Sequence, residues 1–258
     1  MTVDELALPP LADEDNAAPI LKQLEIILVK DGKLRTELDT YLAWDQKRDH
    51  PGFSADWNEL SADDRYALET FLAKPEVRKV LALITEAADK PGVDYEHVFT
   101  ENALLEMPEI FDWITCNAIL LLDVRALLYQ ASITSGAEQD KYVNEACERL
   151  VTSFRFGQMM QHDRQALLMM KLLMGMGQIK LTSNALFALD RTYGLPATYR
   201  QNICDILTTQ SPFDKWRRSI DCERIFSLKA FAFLTSFEFS KSILFTDEIE
   251  SGEALWLL

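Results

Sequence analysis

The sequence predicts an all-α fold, an irregular array or bundle of antiparallel helical hairpins, preceded by a disordered acidic N-terminal leader. Three observations carry that prediction. Only 9 Gly and 9 Pro occur among 258 residues, far fewer turn-formers than a sandwich of short strands needs. Apolar residues recur at spacings of three and four through much of the chain, the period of a helix buried along one side. The Pro and Gly residues that are present fall at helix-length intervals, where they start and stop segments.

The leader spans residues 1–18. Acids stand where a secretory signal needs bases, and Pro9-Pro10 interrupts its short apolar run. An N-terminal helical region, 19–92, opens with Ile20, Leu24, Ile27, Leu34, Leu38 and Tyr41 as one stripe. Asp31-Gly32 either breaks this segment into a helix pair or is a weak point within it, since Gly costs about 1 kcal/mol against Ala in a helix interior. After the loop at His50-Pro51-Gly52, Ser61 caps a helix whose first turn holds Asp63 and Asp64. Pro75 leads the next helix, which runs to Lys90 before Pro91-Gly92 stops it.

The helical-hairpin core is assigned to 93–246. Pro108 leads a helix with Phe111, Ile114, Ala118, Leu121 and Leu128 on one side, and with Asp123 and Arg125 among its few charges. Ser132 to Gly136 makes the turn. The following helix buries Val143, Cys147, Leu150, Phe154 and Gly157 and sets Glu145 and Arg149 as an i,i+4 pair on its other face. A Met-rich helix over 163–192 is apolar nearly all round, which marks it as central and buried. Its exceptions, Arg164, Lys171 and Gln178, recur every seven residues and read as a solvent-facing stripe. Gly175 and Gly177 read as a close helix contact or a kink. A helix from Pro196 to about Gln210 follows, and Phe226 to Phe245 also reads as helix. Residues 247–258 form an acidic tail with an apolar end, in which Trp256 is a candidate partner contact.

Charge narrows the functional classes. The formal net charge is -15, which argues against membrane surfaces and nucleic acid as partners, since both are polyanions. Residues 149–218 nevertheless hold ten bases and four acids, the one basic block in the chain. It reads as a basic layer beside the acidic N-terminal region, with RNA or an anionic ligand as the alternative. The three longest apolar runs are interrupted by Asp123 and Arg125, by Lys171 and Lys180, and by Lys229 and Glu238, so no membrane span is expected. Cys116, Cys147, Cys204 and Cys222 form no Cys-x-x-Cys pair. They read as reduced, buried small hydrophobes, which favours a cytoplasmic setting.

His50, His97 and His162 have no ligand-spaced partner, so neither a metal nor a cofactor is expected. No nucleophile elbow, Walker loop or dinucleotide fingerprint occurs. The catalytic candidates are therefore the weak ones His162, Asp163 and Arg164, between two helices, where helix capping is the ordinary explanation.

The run NAILLLDVRALLYQAS, a short turn, and DKYVNEACERLVTSFRFGQMM resemble a recurring pattern in uncharacterised bacterial all-helical proteins. The likeness extends over roughly residues 117–224. The same hairpin is similar to a tetratricopeptide unit, with Ala146 at the small position of its second helix, although no repeat of about 34 residues recurs. The resemblance implies stacked αα-hairpins and carries no activity with it.

The chain is accordingly expected to be a non-enzymatic scaffold or adaptor that engages a protein partner or a second copy of itself. The alternative is a helical enzyme or small-molecule binder with a pocket beside the Met-rich helix. Arg155 and Lys171 join His162, Asp163 and Arg164 as its candidate binding residues.

Overall fold

The computed structural model describes residues 9–30, 34–38, 61–94, 110–162, 169–208, 214–221 and 224. Among them the regular structure is helical, with one isolated bridge between Asn16 and Gly92. The main helices are α1 (Ala18–Lys30), α2 (Ala62–Leu72), α3 (Pro75–Ala88), α4 (Ile110–Ile133), α5 (Ala137–Met160), α6 (Met169–Tyr193) and α7 (Ala197–Thr208).

Local chemistry sets many of the boundaries. Ser61 Oγ accepts the Asp64 amide at 3.1 Å and so caps α2, while Pro75 occupies the first turn of α3. Gly136 and Gly194 end their turns at φ +63° and +78°, values that disfavour a side chain. Pro108, Asp31-Gly32 and the segment from Phe226 to Phe245 lie outside the described residues. Of the expected leader, residues 1–8 lie outside as well. From Asp13 to Asp15 the chain forms a 3-10 turn, and Asn16 is fixed by exchanging hydrogen bonds with the Asp94 backbone at 2.9 and 3.0 Å.

The central helix is α5. Val143, Cys147, Leu150, Phe154 and Gly157 are all buried, as their spacing predicts. Its C-terminal residues Phe156, Met159 and Met160 join α1, α2, α3 and the first half of α4 in one core. Its N-terminal half joins the rest of α4 and the end of α6 in a second. Val151 and Phe154 meet Ile203 of α7 in a third. An irregular set of hairpins around one shared helix follows from α5 being apolar on several sides.

The Met-rich helix α6 was expected to hold that central place, and it does not. Leu173, Met176, Leu181 and Phe187 on it are exposed, whereas Gln178, expected on a solvent stripe, is 3 % exposed. An all-round apolar composition reveals burial only when every side meets protein, and α6 has one side open. The expected Glu145–Arg149 pair is also replaced. Glu145 faces Lys141 at 3.9 Å, and Arg149 Nε donates to Asp123 at 2.8 Å. The buried Asp123 carboxylate, also met by Arg78 at 3.3 Å, needs compensation that a partly exposed Glu145 does not.

Two further contacts fix the helix packing. Gly157 and Gly175 let α5 and α6 approach until a Cβ on Gly175 would lie 2.9 Å from the Gly157 carbonyl. Between them and the α4 interface, Ser153 Oγ donates to Asn117 and stands 2.7 Å from the Thr182 hydroxyl, all three residues being buried. Thr115–Ile133 within α4 is long and apolar enough to cross a membrane, but 56 % of it is buried against the rest of the protein.

Candidate functional site

Two surface features stand out. The first is the open side of α6. Leu173, Met176, Lys180, Asn184, Phe187 and Arg191 follow one another at spacings of three and four, so they share a face, and all six are exposed. Phe187 is 67 % exposed and Leu173 49 %. Leu181, also exposed, borders this face. Among the described side chains of α6, Asp190 is the exposed carboxylate, and it is occupied: it accepts the Leu195 amide at 2.7 Å and faces Arg200 at 3.7 Å. The face is therefore apolar and basic.

The second is a cleft of about 170 Å³ where the loop after α3 lies on the end of α5. The Val93 amide donates to the His162 carbonyl at 3.0 Å, and Ala17 donates to the Gly92 carbonyl at 3.0 Å. A Cβ on Gly92 would come within 2.7 Å of the His162 oxygen, so only glycine permits this approach. The arrangement sets Lys90 beside Arg155, Gln158 and His162, with Met159 and Ile206 as apolar wall. Arg155 also pairs with Asp89 at 3.0 Å.

Behind the cleft lies Lys215, 8 % exposed. Its ammonium donates to Gln158 Oε1 and, at 3.0 Å, to Gln161 Oε1. Removal from water pushes its pKa down to about 8.

Arg155 and His162, both named from sequence, thus meet at one cleft. Asp163, Arg164 and Trp256 lie outside the described residues. Lys171 belongs to α6, but its side chain is outside the described set. Lys90, Gln158 and Lys215 were missed. Lys90 carried only the signal of a base next to a Pro-Gly stop, and Lys215 was one base among ten in the basic block.

Among the described bases of that block, several are paired or buried. Arg149, Arg155 and Arg200 pair with Asp123, Asp89 and Asp190, and Lys215 is buried. Among the described cysteines, Cys116 and Cys147 are buried as expected but Cys204 is exposed, and Cys222 lies outside the described residues. Cys204 stands on the outer side of α7, whose buried contact is Ile203. Burial, with a smaller contribution from Glu148, raises the Cys147 thiol to about 11, an unreactive state. Among the described residues, no group of three His, Cys, Asp or Glu side chains could hold a metal ion.

No protein-family model, curated protein or solved structure matches this chain.

Proposed function

We propose that the protein is a helical adaptor whose α6 face binds an acidic, amphipathic helical segment of a partner protein. The observation that carries this reading is the exposed row of Leu173, Met176 and Phe187 with Lys180 and Arg191 interleaved and no unpaired carboxylate among the described side chains. Exposed large apolar groups at helical spacing offer the anchors that a helix-in-groove contact uses. Interleaved bases select acidic partners and speed encounter. The stacked hairpins hold that face rigid, because Gly175, Gln178 and Thr182 on the opposite side of α6 are buried against the rest of the fold.

The test is site-specific photocrosslinking from position 187 in cells, with a probe at the equally exposed Tyr66 as control. The expected product is a crosslink to a segment of another protein rich in Asp, Glu and apolar residues at helical spacing. Its yield should fall at least tenfold on L173E. Position 187 crosslinking no more protein than position 66 would overturn the reading. A crosslink only to a second copy of this chain would replace the partner with self-association, and a crosslink to RNA would replace it with nucleic-acid binding.

A further inference from the structure

The cleft over His162 has a property separate from the α6 face: among the described residues, each polar side chain that lines it carries a hydrogen-bond donor. Lys90 brings an ammonium, Arg155 a guanidinium and His162 an imidazole. Gln158 is the fourth. An amide has one acceptor end and one donor end, and its Oε1 is turned to the Lys215 ammonium. Nε2 is the end that remains.

The charges do not cancel. Lys90, Arg155 and Lys215 are cationic, while among the described residues Asp89 is the carboxylate in contact with this group, through one nitrogen of Arg155. Lys90 gives one of its three donors to the Glu14 backbone carbonyl, which is neutral. The Asp89–Arg155 pair is well exposed on both sides, and such pairs are exchanged at little cost. A monoanion would leave cationic donors unanswered, whereas a dianion with several acceptor oxygens balances them.

We propose that this cleft binds a small phosphate dianion, free or as a phosphomonoester, between Lys90, Arg155, Gln158 and His162. The cleft's volume of about 170 Å³ admits a phosphate group with a short substituent. The Lys215 ammonium supports the site from behind by holding Gln158 with its donor end outward.

Isothermal titration of the full chain with inorganic phosphate, methyl phosphate and acetate, at ionic strength held constant with chloride, tests this. Saturable one-to-one binding of either phosphate is expected, weakened about tenfold or more by K90Q and by R155Q, a loss of at least about 1.4 kcal/mol. Tighter binding of methyl phosphate would identify a phosphomonoester as the ligand class, and tighter binding of the inorganic ion would identify free phosphate. R200Q, which alters an exposed arginine paired with Asp190, should bind as the parent does. The proposal fails if neither phosphate saturates below about 10 mM. It fails equally if acetate matches phosphate, or if K90Q and R155Q, shown folded by circular dichroism, bind like the parent.

Discussion

Gly175 and Gly177 lie two positions apart on the same helix, and replacing each with alanine should change stability by unequal amounts. A methyl at Gly177 meets nothing within 4 Å. It gains only the helix propensity of Ala over Gly, about 1 kcal/mol. A methyl at Gly175 would lie 2.6 Å from Gln161 Cγ, 2.8 Å from Gln161 Nε2 and 2.9 Å from the Gly157 carbonyl oxygen. The side chain of Gln161 can turn aside only by leaving Lys215, and the carbonyl belongs to the backbone of α5, so the two helices must separate. Overpacking of this kind costs about 1–3 kcal/mol. Because both substitutions carry the same propensity gain, the difference between the variants isolates the packing cost: G175A should be about 1–3 kcal/mol less stable than G177A. Urea unfolding followed by circular dichroism, with the m-value checked for constancy, measures it. If G175A and G177A were stabilised alike, the close crossing of α5 and α6 would be refuted.

Three other substitutions test the interior. D123N should destabilise by about 3 kcal/mol, the lower end for breaking a buried ion pair, because Arg78 and Arg149 are partly exposed and recover water; urea midpoints decide it. S153A should cost about 1–3 kcal/mol by stranding the buried Asn117 side-chain oxygen, while the Thr182 hydroxyl keeps its bond to the Gln178 carbonyl, as read from the same curves. For Lys215 the folded pKa, about 8, lies below the ordinary 10.5. Between these values the unfolded chain binds the extra proton, so stability should rise as pH rises from about 8 to 10.5 and level off below about 8. Relative to the parent, K215M should lack that rise, whose full extent is about 3 kcal/mol, and a parallel pH profile for the two proteins would contradict the buried ammonium.

Features governed by neighbours in sequence were legible in the sequence. The Ser61 cap, the Pro75 start and the buried side of α5 depend on residues within one or two turns. What failed depended on distant chain. Arg149 was assigned to Glu145 by the i,i+4 rule, but its partner Asp123 is 26 positions away and buried. Composition could not say that Leu173, Met176 and Phe187 on one side of α6 are exposed, nor that Gln178 turns inward. The cleft shows the same division. Arg155 and His162 stood out as polar groups near a helix end, while Lys215 reaches Gln158 and Gln161 across 57 and 54 positions. Lys90 arrives through a loop that only Gly92 allows to lie so close.

The backbone contacts at Gly92 and Val93 have a kinetic meaning. Asn16 meets Asp94 across 78 positions, and Val93 meets His162 across a comparable stretch. Two long loops of chain therefore close at one point. Closing such loops is paid in entropy that grows slowly with length and must precede the contacts that reward it. The hairpin of α4 and α5 is local and can form without either closure. The closure of Val93 on His162 must be complete before Lys90 and His162 line one cleft, so the cleft is expected to form after that hairpin. Its occupancy would then report on the loop at Gly92 and Val93 being docked on the end of α5, and a ligand held there would stabilise that long-range contact.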